Sequence, residues 1–141
     1  MSADEQITQE VAEIYSWLDE QIEKKRINRL CKSCGKCCDF SRFDHRLFIT
    51  TPELIYFRSK ISIDNIKLMT TDVCPYREDS KCTIHPFRFA GCRIFFCKAN
   101  HKLQSKLAEP VLKKLKSICE NYRIAYRYVE LKKALNDTLR F

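Results

Sequence analysis

Cys31-Lys32-Ser33-Cys34-Gly35-Lys36-Cys37-Cys38 is the stretch on which the reading of this chain turns. Gaps of two residues let a tight turn bring two thiolates to one metal centre while backbone N–H groups face the sulfurs, and Gly35 permits that turn. Three cysteines at this spacing suit one centre and match the first three ligands of the ferredoxin-type run C-x2-C-x2-C. Cys38 projects away from Cys37, as chain neighbours do, and suits a second metal or a bridge between two.

A second string follows, Cys74-Pro75 and then Cys82, Cys92 and Cys97. Four and four is the arithmetic of two tetrathiolate centres. A disulfide framework is the less favoured reading: the cysteine count of nine is odd, and Cys37 adjoins Cys38. The N-terminus carries Asp4, Glu5, Glu10 and Glu13 where a secretory signal would be basic and then apolar, and no apolar run of roughly 18 residues occurs. These features predict a cytoplasmic protein without membrane insertion, in a compartment where thiols stay reduced.

Upstream, Ile7, Val11, Ile14, Leu18 and Ile22 recur at helical steps and predict an amphipathic helix over 4–30. Its acids come first and Lys24, Lys25, Arg26 and Arg29 last, as the helix dipole favours. Arg46-Leu47-Phe48-Ile49 reads as a short extended piece. Thr50 or Thr51 then caps a helix to about Lys60, with Pro52 near its first position and Glu53 able to close a capping box on Thr50. Downstream, Val111, Leu115, Ile118, Tyr122, Ala125 and Val129 predict a helix starting at Pro110, after a shorter segment near 99–108. Cys119 falls on or beside that stripe and reads as a core thiol.

The 141 residues, 45% of them apolar, allow one domain with a real core. The expected fold is mainly α: a small single domain over 1–141, in which an N-terminal helix (4–30) and a C-terminal helical region (98–141) flank an irregular cysteine-rich metal-binding centre (31–97). A glycine-poor centre without periodicity is expected to unfold when its metal is removed. Gly35 and Gly91 are the only glycines and lie far apart, so neither a P-loop nor a dinucleotide fingerprint is present.

The two strings resemble the CxxCxxCC family of zinc- or iron-chelating domains, also called the YkgJ-type cysteine-cluster family. Its pattern is CxxCGxCC, then CP, then C-x-I-Y-x-x-R-P-x-x-C-R-x-F. Cys31, Cys34, Gly35, Cys37 and Cys38 match the first part, and Cys74-Pro75, Cys82, Ile84, Arg88, Cys92, Arg93 and Phe95 match the second in register. His85 stands where the family usually has Tyr and Phe89 where it usually has Pro, with Pro86 shifted earlier. The resemblance covers about 31–97 and implies metal chelation, with Cys31, Cys34, Cys37, Cys38, Cys74, Cys82, Cys92 and Cys97 as the ligand set. One branch, the flagellin lysine N-methylases, carries such a motif with an iron–sulfur cluster in a much larger chain, and methylase activity is not carried over here.

Four thiolates around Zn²⁺ or an oxidised [4Fe–4S] core leave about −2 of local charge, to be offset by nearby donors and cations. Lys32, Lys36, Arg88 and Arg93 lie within the strings, and His85 is a candidate ligand or donor to sulfur. Arg88 and Arg93 would neutralise thiolates or pair with Asp39, Asp44 or Asp72. Aromatic residues from Phe40 to Phe96 crowd the strings, and apolar shielding favours an iron–sulfur cluster over zinc. The preferred expectation is an iron–sulfur protein in a redox role or as a metal-bearing enzyme subunit, with a protein partner. The alternative is a zinc-stabilised module whose basic helix meets an acidic protein or nucleic acid, the latter less favoured. Charge fits both: the net +8 divides as −3 over 1–30, +4 over 31–97 and +7 over 98–141. No nucleophile–base pair or paired-carboxylate site is readable.

Overall fold

A computed structural model describes residues 2–24, 47–71, 73–78, 81–94 and 101–138. The fold is mainly helical. Helix α1 spans Ala3–Lys24, with Asp4 and Glu5 in its first turn and Lys24 in its last. Ile7, Val11, Ile14, Leu18 and Ile22 are all buried, joined by Tyr15. The predicted extension to residue 30 lies outside the described residues.

Strand β1 (Phe48–Thr50) runs into helix α2 (Thr51–Lys60), whose entry is fixed as the sequence implies. Pro52 occupies the first turn, where a missing N–H costs nothing. The Glu53 carboxylate reaches back to accept the Thr50 N–H at 3.0 Å. A hairpin follows, β2 (Arg77–Glu78) against β3 (Lys81–Cys82), and then the one-turn helix α3 (Ala90–Ile94).

The C-terminal third departs from expectation. Helix α4 runs unbroken from His101 to Tyr122 with Pro110 inside it, in place of a helix beginning at Pro110. Pro110 forfeits one backbone hydrogen bond. Leu107 and Val111 on either side of it are buried, which outweighs that loss, since each fully buried aliphatic side chain contributes roughly 1.5–3 kcal/mol. The expected continuation to Val129 is also wrong. Arg123 turns left-handed at φ 55°, and the Ile124 N–H closes on the Cys119 carbonyl at 3.0 Å, a C-terminal cap that ends the helix. The chain then forms strand β4 (Tyr128–Glu130) and helix α5 (Leu131–Thr138). Strand β4 pairs antiparallel with β1, Ile49 opposite Val129. The Leu131 N–H bonded to Leu47 O at 2.8 Å and the Thr51 N–H bonded to Arg127 O at 3.1 Å extend the ribbon.

Two apolar clusters result. The first joins α1 and α4 through Ile7, Val11, Leu18, Val111 and Leu115, with Tyr56, Ala90 and Ile94 at its end. The second gathers Leu47, Ile49, Phe57, Ile66, Met69, Tyr76, Ile84 and Phe89 with Leu131, Ala134 and Leu135 of α5. The described part of 31–97 is therefore organised by apolar burial and short regular elements. Among the described residues, no helix is long and apolar enough to cross a membrane.

Candidate metal centre

Cys74 opens a turn closed by the Arg77 N–H on the Cys74 carbonyl at 3.1 Å, with Pro75 preset for its second position. Tyr76 anchors that turn. Its hydroxyl donates to Asn65 O at 3.2 Å and accepts the Lys67 N–H at 2.9 Å, while its ring meets Phe57 edge-on at 5.7 Å. Cys74 is consequently buried within the second cluster. Cys82 ends β3 directly opposite Arg77 and packs half-buried against the same cluster. Cys92 reaches that cluster from α3, so three thiols of the second string border one apolar body.

Gly91 sets the position of α3. A Cβ there would meet Cδ1 of Leu47, so glycine lets the turn that carries Cys92 pack on the buried Leu47 side chain without displacing it.

Arg93 is buried and all three of its guanidinium nitrogens are engaged. Nη1 donates to Asp19 at 2.6 Å, Nε to Arg88 O at 2.9 Å and Nη2 to Pro86 O at 3.2 Å. Its guanidinium carbon lies 4.5 Å from the centroid of the Tyr15 ring, a cation–π stack. Arg93 thus pairs with Asp19 of α1; Asp39, Asp44 and Asp72, the partners expected from the sequence, lie outside the described residues. Arg88 is half-buried and gives its Nε–H to His85 O at 3.0 Å. His85 is exposed on a single 3₁₀ turn, His85–Phe87. Partial burial, and then the positive Arg88 and Arg93, push its imidazole below the ordinary value.

Beneath these groups lies a buried carboxylate assigned by the sequence only to a helix cap. Glu53 Oε1 accepts from Tyr15 Oη at 3.0 Å and from the Ala90 N–H at 2.7 Å, and Oε2 accepts from Thr50 Oγ1 at 3.0 Å. It thereby ties α1, β1 and the first turn of α3 together. Burial pushes the Glu53 carboxyl above its ordinary value, against the pull of these donors. Burial, and then the neighbouring Glu53, push the Tyr15 hydroxyl well above its own.

Among the other candidates, Cys31, Cys34, Cys37, Cys38 and Cys97 lie outside the described residues. Cys119 is buried in the α4 core, and that burial raises its thiol pKa. Among the described residues, no group of three or more His, Cys, Asp or Glu side chains is placed to hold a metal ion. The donor type itself suits a thiophilic metal: Cys74 lies in, and Cys82 and Cys92 pack against, the apolar cluster that also contains Phe57, Tyr76 and Phe89. Asp19 and Arg77 were not read as functional from the sequence. The cross-strand position of Arg77 opposite Cys82 is the signal that marks it. Comparison of the chain with protein-family models, curated proteins and solved structures returned no match.

Proposed function

We propose that this chain is a metal-binding cysteine-cluster protein, iron–sulfur by preference, serving redox transfer or acting as the metal-bearing subunit of an enzyme. The observation that carries the reading is the placement of Cys74, Cys82 and Cys92 along one apolar cluster, although they come from a turn, a strand end and a separate helix. Cys31, Cys34, Cys37, Cys38 and Cys97 would complete a set of eight ligands. The likeness of the two strings to the CxxCxxCC family adds to this reading. A bound cluster would supply one-electron chemistry, and the protein's part is to hold thiolates, limit water and offset charge. Eight reduced thiols suit the cytoplasm.

The second reading is a zinc-stabilised module, favoured by the exposed lysines Lys102, Lys106, Lys113 and Lys116 on α4. An acidic protein or a nucleic acid would meet that face, with affinity falling steeply as salt rises.

Metal and acid-labile sulfide analysis of protein purified without oxygen separates the two. Iron with matching sulfide and a broad visible absorption is the expected result. Zinc without sulfide would shift the conclusion to the module, and absence of any metal would sink both readings.

A further inference from the structure

We infer that Arg77 is the charge-compensating donor for the sulfurs of Cys74 and Cys82. The inference rests on the metal-binding reading and adds to it a residue that neither the cysteine spacing nor the family pattern marks.

The hairpin supplies the geometry. Arg77 and Cys82 are cross-strand partners, and the flanking bond from the Thr83 N–H to Tyr76 O at 2.8 Å identifies theirs as a pair that exchanges no backbone hydrogen bonds. In such pairs the Cα atoms lie about 4.5 Å apart and both side chains rise on the same face, closer than in any other cross-strand arrangement. The backbone N–H of Arg77 also closes the turn onto the Cys74 carbonyl. The backbone of Arg77 is therefore tied directly to that of Cys74 and paired across the hairpin with Cys82.

The accounting of donors points the same way. Arg93 uses every guanidinium nitrogen on Asp19 and on carbonyls, and Arg88 gives its Nε–H to His85 O. The Nε of Arg77 is buried without a hydrogen-bond partner among the described residues. A buried N–H of a permanently charged group left unpaired is unfavourable, and a ligating thiolate is the acceptor that such a donor beside two cysteines would satisfy. Arg77 acts through the cysteines, as a positioning and charge-balancing residue.

The test is titration of the reduced full-length chain with Co²⁺ under anaerobic conditions, read by thiolate-to-cobalt absorption. It compares wild type, Arg77→Gln, Arg77→Met and Arg77→Lys, each checked for folding by circular dichroism. Arg77→Gln is expected to weaken Co²⁺ binding by about tenfold or more, the usual cost of losing a partner of a metal ligand. Arg77→Met, which keeps the apolar stem, should lose as much, while Arg77→Lys, which keeps the charge, should recover most of the affinity. If Arg77→Gln does not fold, Arg77→Met against Arg77→Lys decides. Equal affinity in wild type and Met, or a Lys variant no better than Met, would overturn the role of Arg77 and leave the metal site standing. Wild-type protein that binds no Co²⁺ would remove the metal-binding reading itself and this inference with it.

Discussion

Arg93 on α3 donates to Asp19 on α1 at 2.6 Å, a contact between residues 74 apart in sequence. The two ends of the bridge differ sharply: the Arg93 side chain is 5% exposed and that of Asp19 is 50% exposed. One partner is thus a buried charge and the other is half in water.

Removing the wet end leaves the buried end, among the described residues, with carbonyl partners and the Tyr15 ring. Asp19→Ala should destabilise the fold by about 1–2 kcal/mol in urea unfolding, a value discounted from that of a fully buried pair because solvent screens Asp19. Arg93→Ala should cost more than Asp19→Ala, because it also strips donors from Arg88 O and Pro86 O.

Glu53 makes stability depend on pH with an unusual sign for a carboxylate. Its folded pKa lies above the ordinary 4.5, so the folded state holds the proton more tightly than the unfolded chain. The stabilising contribution is fully present below about pH 4.5 and is lost as pH rises through the folded value. Guanidinium unfolding of wild type and Glu53→Gln across that window should show wild type losing ground to the variant as pH rises. A difference that is flat, or that grows with pH, would contradict this. At any one pH the variant also leaves buried donors of Thr50, Tyr15 or Ala90 unmet, at about 1–3 kcal/mol.

Gly91 and Leu47 should behave as one unit. Gly91→Ala forces Leu47 out of its place and should cost about 1–3 kcal/mol by overpacking, whereas in a Leu47→Ala background the same change should be close to neutral. A thermodynamic cycle over the four proteins measures this coupling, and additive effects would show that the two side chains do not compete for the same space.

Metal removal should leave most of the helix in place. Among the described residues, both apolar clusters are built from α1, α2, α4, α5 and the segments between them, and Cys74 is the one proposed ligand buried within either. Far-UV circular dichroism before and after chelation should therefore change little, with a lower melting temperature. Cooperative loss of all helical signal would instead bear out the expectation drawn from the sequence, that the centre unfolds when its metal is removed.

The sequence was most legible where local chemistry decides structure. The α1 stripe is buried at every position its periodicity marks, and Thr50, Pro52 and Glu53 open α2 as their side-chain chemistry requires. It was least legible where partners distant in the chain decide. Tyr122, Ala125 and Val129 keep helical spacing, yet the chain leaves the helix at Arg123 because the edge of β1 takes Val129 as a strand partner. Pro110 looks like a helix start when only its missing N–H is weighed, and burial on both sides of it reverses that. At the candidate site, spacing named the cysteines and the arginines. Asp19 as the partner of Arg93, and Glu53 as the tie between α1 and α3, depend on chain segments that no local pattern brings together.

The ribbon between β1 and β4 also sets an order of events during synthesis. Phe48 must wait for Glu130, and the cluster bordered by Cys74, Cys82 and Cys92 stays open until Leu131, Ala134 and Leu135 have been made and have left the ribosome. Helix α1 can form early, but its partner surface on α4 is made later, so the long-range contacts of both clusters close only after α4 and α5 have been synthesised. A nascent chain would therefore carry Cys74, Cys82 and Cys92 beside an unfinished apolar cluster until α5 has emerged.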